Sequence, residues 1–182
     1  QDEEGRVLNR ALAAKVVERI KNQPAQVEEV EEQARKQAAP LPYNLSSLQI
    51  DAAKRFGMDA KRVLDVCQSL YERHKLITYP RSDSRYLPSD HFNRAPQVRD
   101  AIAATAPALA KAVSEADGKL RSKAWNDGKV DAHHAIIPTE KHGNLARPAA
   151  DAGTLDGHVA RQDVVQFYPP FEYNDSKVLL RI

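Results

Sequence analysis

Cysteine is almost absent from this chain of 182 residues, which contains a single thiol, Cys67. One cysteine cannot form an internal disulfide, and without a cluster of cysteines the sequence predicts no zinc site. The apolar runs are only a few residues long, which excludes a transmembrane helix. No basic and then apolar signal segment opens the chain, so the cytoplasm is the expected compartment. Because the first residue is Gln1 rather than Met, we expect a piece of a longer protein.

A strong charge of either sign is also missing, since 27 Lys and Arg side chains face 25 Asp and Glu side chains. Residues 41–100 hold ten of the basic and seven of the acidic side chains, whereas residues 1–40 and 101–182 are close to neutral. This excess indicates a phosphate-bearing partner only weakly, because a dedicated duplex-binding domain is usually far more basic. The length suits one domain, or one domain with a fragment of a second.

The beginning of the chain predicts one helix and one ambiguous segment. Residues 10–22 have helical apolar spacing, Asn9 is a suitable N-cap, and Pro24 ends the helix. Residues 25–39 fit either a helix or an exposed extended arm, because apolar positions at helical spacing are separated by polar runs. Pro40 favours extended geometry in the residue before it and therefore marks a boundary.

Helical spacing dominates the rest of the chain and indicates a mainly α fold. Gly57 is a suitable C-cap and Asp59 a suitable N-cap, while Gly157 weakens the last helix by about 1 kcal/mol relative to alanine. The predicted helices start at Ser46 or Ser47 and end at Phe56, and then span 60–73, 89–104, 107–116 and 154–167. Irregular stretches are expected at 117–131 and 141–153, and strands at 76–79 and 177–182.

The segment 76–88 reads Leu-Ile-Thr-Tyr-Pro-Arg-Ser-Asp-Ser-Arg-Tyr-Leu-Pro and carries the first candidate chemistry. Tyr79 precedes Pro80, so its backbone is biased to extended geometry, and alternation then puts Tyr79 and Arg81 on the same side. Such a pair suits phosphoryl transfer to tyrosine. The phenolate oxygen attacks phosphorus, and the planar guanidinium binds two phosphate oxygens while it offsets the charge of the transition state.

The neighbouring polar residues extend this hypothesis. Ser82, Ser84 and Arg85 are candidates for further phosphate contacts, whereas Asp83 is expected to orient an arginine rather than touch an anion. The ordinary alternative stays open, because a tyrosine at the end of a strand beside an arginine usually reflects packing and a solvated charge.

Two adjacent histidines, His133 and His134, form the second candidate element, in the sequence 130–139. Neighbouring side chains diverge on a helix or a strand, so the pair is poorly spaced for binding one metal ion. The ordinary interpretation is one packed and one exposed histidine. The functional alternative is an imidazole that donates a hydrogen bond to a phosphate.

Together these segments resemble the type IA DNA topoisomerases, and within them the bacterial topoisomerase III kind. The resemblance covers essentially the whole chain, apart from residues 145–160. There Gly157 and His158 stand where family members tend to carry larger apolar or aromatic residues, which leaves the packing of the last helix open. The segments that carry the resemblance are the active-site stretch 76–88, the second hallmark 130–139, the opening stretch 41–49 and the exit stretch 167–170.

The resemblance implies an enzyme that cuts one DNA strand through a 5′-phosphotyrosine link, passes another strand through the gap and reseals the first without ATP. Such an enzyme relaxes negative supercoils and decatenates DNA in the bacterial cytoplasm, at the nucleoid. Tyr79 would then be the nucleophile, Arg81 the phosphate clamp and His133 a phosphate-contacting histidine. Further DNA contacts are expected from Ser82, Arg85 and His134.

The resemblance also implies a domain organisation. Residues 40–167 would form the helical domain that carries the tyrosine, flanked by 1–39 and 168–182 as the entering and returning segments of a β-rich arch domain. Mg²⁺ would be bound by a separate Toprim domain, and no metal is expected here because the sequence has no Asp-x-Asp-x-Glu cluster. The expected partners are single-stranded DNA and that Toprim domain, with no membrane.

Because a tyrosine phenol is normally protonated at neutral pH, we expect the isolated fragment neither to cleave nor to relax DNA. The main alternative is a non-catalytic module of the same fold that binds single strands. A tyrosine recombinase or a conjugative relaxase would require an Arg/His/Arg set or a triple histidine, and the sequence shows neither pattern.

Overall fold

The structure is a computed structural model that describes residues 6–143 and 150–182. The chain divides into two compact units, one drawn from residues up to Gln37 together with Glu172–Ile182, the other spanning Ala38–Phe171. Helices predominate, which confirms the mainly α prediction. Part of the irregular stretch predicted at 141–153 lies outside the described residues. In the described ranges no helix is long and apolar enough to cross a membrane.

The first unit begins with helix α1, Arg10–Ile20. The Asn9 side chain accepts a hydrogen bond of 3.1 Å from the backbone N–H of Leu12, which confirms the predicted N-cap. The helix ends before the predicted residue 22, because Asn22 adopts a left-handed conformation with φ of 59°. No residue of α1 is buried.

A two-stranded sheet completes the first unit. Strand β1, Gln26–Gln37, pairs with β2, Phe171–Arg181, so the ambiguous segment is extended rather than helical. Ion pairs follow opposite orders along the two strands, from Lys36–Glu172 at 2.6 Å to Lys177–Glu31 at 3.6 Å, as in an antiparallel pair. These pairs are exposed and stabilise little, about 0–1 kcal/mol each. The second strand starts earlier than the predicted residue 177.

In the part of the second unit that the structure describes there are five α-helices, and the longest connection lies between the last two of them. The five helices are α2 Leu45–Phe56, α3 Ala60–Ser69, α4 His91–Thr105, α5 Ala110–Glu115 and α6 Ala150–Val164, with 3₁₀ turns at Pro107–Leu109, Asp127–Lys129 and Val165–Phe167.

The helix caps differ in one place from the prediction. Helix α2 begins after Asn44, whose side chain accepts a hydrogen bond of 2.9 Å from the N–H of Ser47, while the Ser47 hydroxyl accepts one from the N–H of Asn44. The predicted start at Ser46 or Ser47 is therefore wrong by one or two residues, because the N-cap is Asn44, which forms a capping box with Ser47. Gly57 ends the helix with φ of 65°, and Asp59 caps α3, both as predicted.

The regular helix predicted at 60–73 is also wrong in its last turn, where Leu70–His74 form a π-helix. The Leu70 carbonyl accepts hydrogen bonds from the N–H groups of both Lys75 and Leu76. Lys75 takes a left-handed conformation with φ of 59°, which reverses the chain. The wider turn therefore directs Leu76 inward, where it is 4% exposed. π turns are rare and often occur at functional sites.

The core of the second unit has three parts. Leu48 of α2, Val63 of α3 and Leu155 of α6 are fully buried and join these helices. A second cluster surrounds Trp125 and Phe167, and a third lies between α4 and α6. Complete burial of one such aliphatic or aromatic side chain stabilises the fold by about 1.5–3 kcal/mol.

Residues 135–139 connect distant parts of the second unit. Isolated antiparallel bridges join Ile136 to Tyr43 and Pro138 to Ile77. The backbone hydrogen bonds beside these bridges measure 2.8–2.9 Å. This pairing brings the two segments singled out in the sequence, 76–88 and 130–139, into direct contact.

Candidate active site

Tyr79 follows a short extended stretch that Thr78 fixes to the opposite segment. The backbone N–H of Thr78 donates to the carbonyl of Ile137 at 2.9 Å. The Thr78 hydroxyl donates to the carbonyl of Ala135 at 3.1 Å and accepts the N–H of Ile137 at 3.0 Å. The predicted strand 76–79 is thereby reduced to a single bridge, at Ile77, because the chain bends at Thr78.

The Tyr79 ring is held between two other rings. It stacks on His133 with a centroid distance of 4.5 Å and an interplanar angle of 26°. Tyr71, on the π turn, meets it edge-on at 5.7 Å. Tyr79 remains 36% exposed, and within the described ranges its hydroxyl has no hydrogen-bond partner. The ring is therefore fixed while the phenol oxygen is available to a substrate.

Arg81 lies beside the same helix end. It is exposed, and its Nη2 donates to Oε1 of Gln68 at 3.1 Å. Gln68 and Tyr71 are three residues apart and so share one helical face. Tyr79 and Arg81 thus contact neighbouring residues, Tyr71 on the π turn and Gln68 on α3. Residues 80 and 81 form a turn, so the extended geometry on which the predicted alternation depends does not continue to Arg81.

The serines of the segment stabilise its turns. Ser82 is 2% exposed, its carbonyl accepts the N–H of Leu45 at 3.0 Å, and its hydroxyl accepts the N–H of Ser84 at 3.2 Å. The Ser84 hydroxyl accepts the N–H of Tyr86 at 3.1 Å. Such local bonds are typical of serine in turns. The DNA contact predicted for Ser82 gains no support from this geometry, because its hydroxyl is buried.

Arg85 is also turned inward. Its Nε donates to the carbonyl of Pro42 and its Nη2 to the carbonyl of Leu41, both at 2.9 Å. This fork ties the segment that bears Tyr79 to the start of the second unit. The contacts favour a structural role over the predicted DNA contact.

The adjacent histidines diverge, as the sequence predicts. His133 is exposed and stacks on Tyr79, whereas His134 is half-buried and meets His91 edge-on at 4.5 Å. Burial, followed by the charge of His133, lowers the pKa of His134 despite a hydrogen bond with the carbonyl of Ala135. Burial and the charge of His134 lower the pKa of His91. His133 therefore belongs to the Tyr79 site, whereas His134 contacts His91.

Comparison with known proteins adds to this geometry. A family model described as DNA topoisomerase matches residues 1–182.

The chain belongs to this DNA topoisomerase family.

Its curated relatives are named DNA topoisomerase 3. The protein of Vibrio cholerae is 57% identical over 189 residues, which cover 100% of this chain and 28% of that protein. The Haemophilus influenzae protein is 52% identical over 184 residues, with the same coverages. The Bacillus subtilis protein is 38% identical over 181 residues, or 97% of this chain and 24% of that protein. The chain therefore spans about a quarter of the length of these relatives.

A solved structure is similar in fold. The full-length topoisomerase I of Thermotoga maritima superposes with a TM-score of 0.61 at 23% identity, over 92% of this chain and 27% of that one. At this identity the likeness bears on the fold alone.

The magnesium that the family implies finds no ligand set here. Across residues 6–143 and 150–182, no three or more His, Cys, Asp or Glu side chains are grouped so that they could hold a metal ion. His133 and His134 contact different rings, those of Tyr79 and His91. We therefore derive no catalytic step through a metal.

A second polar cluster lies away from Tyr79. The Tyr43 hydroxyl donates to Oδ2 of Asp51 at 2.5 Å, and His158 Nε2 lies 2.7 Å from the same oxygen. Burial and the hydrogen bond to Asp51 raise the pKa of Tyr43. Burial alone would raise the pKa of Asp51, but the hydrogen bonds from Tyr43, His158 and Arg55 lower it to about 2. Phe56 also packs edge-on against His158.

This cluster resolves the packing of the last helix. The His158 side chain is 8% exposed, so a polar residue fills a core position by satisfying its hydrogen bonds. Helix α6 starts at Ala150, before the predicted residue 154, and a 3₁₀ turn follows it to Phe167.

Sequence reasoning missed Tyr71 and Gln68. Their spacing places them on one helical face, but nothing in the sequence places that face against Tyr79. The π turn that carries Tyr71 has no sequence signal of its own.

Proposed function

We propose that this chain is the strand-cleaving part of a type IA DNA topoisomerase III, with Tyr79 as the nucleophile. One observation carries the proposal. The exposed phenol of Tyr79 is fixed by ring contacts to His133 and Tyr71, and Arg81 lies beside the same helix end. Pre-positioning of this kind lowers the entropic barrier to an attack on phosphorus.

The proposed reaction is a transesterification. The Tyr79 oxygen attacks a backbone phosphorus and loses its proton, and the bond from phosphorus to the 3′ oxygen breaks. The released 3′ oxygen takes up a proton, and the 5′ phosphate remains on the tyrosine. Attack by the 3′ hydroxyl on the phosphotyrosine reverses the reaction and reseals the strand. One ester replaces another, so sealing needs no ATP, and strand passage in the interval would relax negative supercoils or decatenate DNA.

The side chains around Tyr79 suggest distinct roles. The guanidinium of Arg81 can bind two oxygens of the phosphate. The His133 ring lies face to face with the phenol ring, so it is poorly placed to accept the phenol proton. A ring nitrogen of His133 can instead donate a hydrogen bond to the bound phosphate. We assign the proton acceptor and the Mg²⁺ to the separate Toprim domain of the longer protein.

The two compact units suggest the domain assignment. The helical unit would be the tyrosine domain, and the unit with β1 and β2 would be part of a β-rich arch. Two apolar side chains of the first unit, Val30 on β1 and Leu179 on β2, are 57% and 48% exposed. Exposed apolar surface on both strands favours the packing of a further segment of protein against this sheet.

The decisive experiment uses the full-length protein. Tyr79→Phe should reduce relaxation of negatively supercoiled plasmid to background and leave the affinity for a single-stranded oligonucleotide within about twofold. Tyr71→Phe is the matched control, because it removes a hydroxyl from the neighbouring ring and should keep relaxation. Relaxation by the Tyr79→Phe protein would refute the proposal and favour a non-catalytic module that binds single strands.

The isolated chain should behave differently. We expect weak binding to single-stranded DNA that falls with salt, and no covalent adduct. An affinity unchanged across a salt series, or an adduct on Tyr79, would contradict these two expectations respectively.

A further inference from the structure

A cavity of about 290 Å³ adjoins the Tyr79 site. Thr78 and His134, the chain neighbours of Tyr79 and His133, both line it. The volume is at the small end of ligand pockets, ~300–1,000 Å³, and suits one planar heterocycle. All of its lining residues belong to the second unit.

Two buried polar groups among the residues that line this cavity have no hydrogen-bond partner in the part of the chain that the structure describes, although the charge of Arg99 acts on one of them, Asp163. Asp163 of α6 is 4% exposed, and no hydrogen bond to its carboxylate occurs within residues 6–143 and 150–182. Trp125 is 8% exposed, and its buried indole N–H has no hydrogen-bond partner. An unpaired buried polar group costs about 1–3 kcal/mol, so such groups call for an explanation.

The chemistry of the wall disfavours an anion. Asp163 and Glu140 both line the cavity, and Arg94, the cation in its wall, is engaged by Glu140 at 2.6 Å. Burial lowers the pKa of His91 and His134, which favours their neutral forms. The wall thus offers the carboxylate oxygens of Asp163 as acceptors, beside apolar and aromatic surface.

We propose that this cavity binds one unstacked guanine base of the DNA strand held at Tyr79, with Asp163 as the recognition residue. Guanine presents two neighbouring N–H donors, N1–H and the N2 amino group, which match the two oxygens of a carboxylate. Trp125 lines the same cavity and offers its indole ring as packing surface for the base. Single bases are commonly read in this way, in pockets with aromatic walls. This inference rests on the proposed function, because it takes the ligand from the same strand.

Trp125 provides the measurement, since it is the only tryptophan of the 182-residue chain. Its fluorescence, excited at the red edge of the indole band, is followed at pH ~8 during titration with 2′-deoxyguanosine 5′-monophosphate, because burial raises the pKa of Asp163 to about 7 and the carboxylate must be ionised to accept both donors. We expect a saturable change that the cytidine and thymidine nucleotides produce at least tenfold more weakly. Deoxyribose 5-phosphate tests the sugar and phosphate without a base and should give no change. An equal response to deoxyribose 5-phosphate, or no response to the guanine nucleotide, would overturn the proposal.

Asp163→Asn tests the assigned contact. The NH₂ group of the asparagine amide would face the N2 amino group of guanine, and two donors cannot hydrogen-bond to each other. The affinity for the guanine nucleotide should therefore fall at least tenfold. Affinity for the xanthine nucleotide, which has an oxygen at that position, should rise in the same variant. Asp156→Asn is the matched control, because it makes the same change on α6 at a buried residue outside this cavity. An equal loss in both variants would contradict a specific role for Asp163.

A second variant covers a failure of Asp163→Asn to fold. Val98 lines the cavity, and Val98→Ile adds one methylene to its wall, so guanine affinity should fall while the circular dichroism spectrum is retained. Unchanged affinity in Val98→Ile would refute binding in this cavity. A failure of the proposed function can be told apart from a failure of this inference. If the Tyr79→Phe protein relaxes DNA, the assignment of Tyr79 as nucleophile is wrong, whether or not the fluorescence of Trp125 responds to guanine.

Discussion

Arg81 and Arg85 lie four residues apart in one segment, and their guanidinium groups have different partners. Arg81 is exposed and bonds one side-chain oxygen, on Gln68. Arg85 is half-buried and bonds two main-chain carbonyls, of Leu41 and Pro42. The first arrangement leaves donors free for a phosphate. The second uses the planar fork to hold two stretches of chain together.

Arg85→Ala should therefore destabilise the fold. Two carbonyls would lose charged hydrogen bonds, each worth about 1.5–3 kcal/mol, so we expect the free energy of unfolding to fall by about 3 kcal/mol or more. Urea denaturation measures this change. Arg85→Lys should recover less than half of it, because an ammonium group cannot reproduce the fork. Arg81→Ala is the control and should stay within about 0.5 kcal/mol of the parent chain; a larger loss there than in Arg85→Ala would contradict the assignment.

His133→Ala in the full-length protein should lower the rate of strand cleavage by about 100-fold, the usual effect of removing one donor from a transition-state oxygen. His133→Phe separates the two possible contributions of this residue. Phenylalanine keeps a ring against Tyr79 but has no N–H, so it should be as impaired as alanine. Recovery of cleavage in His133→Phe would show that the stacking, rather than a hydrogen bond, is what the reaction uses.

At the residue scale, the sequence predicts contacts that local geometry determines. Strand alternation predicts Tyr79 and Arg81 on one side, and they do contact neighbouring residues, Tyr71 and Gln68, but through a turn at residues 80 and 81 rather than a continued strand. The inward turn of Ser82 and Arg85 could not be predicted, because it depends on carbonyls and N–H groups some forty residues away in the chain. The burial of Asp163 likewise could not be predicted from the neighbouring sequence, since it depends on how α6 packs against the rest of the unit.

At the scale of elements, helix α6 combines features that oppose one another. Its apolar side chains Leu155, Val159 and Val164 are buried, yet it also buries Asp156 and Asp163. The periodicity of the apolar residues was sufficient to predict the helix. It could not predict the early start at Ala150, nor the π turn after α3, because ends of elements depend on tertiary contacts.

Two glycines test whether backbone conformation or helix propensity decides the effect of a substitution by alanine. A Cβ added at Gly157 or at Gly57 would meet no atom within 4 Å, so space does not distinguish them. Gly157 lies inside α6, where alanine should stabilise the chain by about 1 kcal/mol. Gly57 has φ of 65°, where alanine should destabilise it by about 1–2 kcal/mol. Thermal unfolding of Gly157→Ala and Gly57→Ala should therefore shift in opposite directions, and a shift of the same sign would contradict this reading.

At the scale of the whole molecule, two units are built from three stretches of chain. β1 and β2 pair although the whole helical unit separates them in sequence. Periodicity cannot reveal such a long-range pairing, and for residues 25–39 it fits a helix and an extended arm equally well. Only the resemblance to a family indicated the extended form, which the structure confirms.

The pH dependence of stability should reflect aspartates whose pKa values move in opposite directions. Burial raises the pKa of Asp156 to about 6 and that of Asp163 to about 7, the latter despite the charge of Arg99. The unfolded chain releases these protons near pH ~4, whereas the folded chain retains them, so the fold loses stability as the pH rises from ~4 to ~7. The lowered pKa of Asp51 has the opposite sign: its contribution is present above pH ~4 and is lost as the pH falls towards 2.

These signs predict how single variants change the pH profile of the unfolding free energy. Asp163→Asn removes a carboxylate that is unfavourable when ionised, so it should stabilise the chain at pH ~8, by an amount of the order of 1.4 kcal/mol for each unit of the raised pKa. The same variant should have little effect at pH ~4, where Asp163 is protonated in the folded chain. Asp51→Asn should instead destabilise the chain at pH ~8, and its effect should diminish as the pH falls below ~4. Urea unfolding at a series of pH values measures both profiles. Destabilisation by Asp163→Asn at pH ~8 would mean that the ionised carboxylate is paired, and it would remove the unpartnered acceptor on which guanine recognition depends.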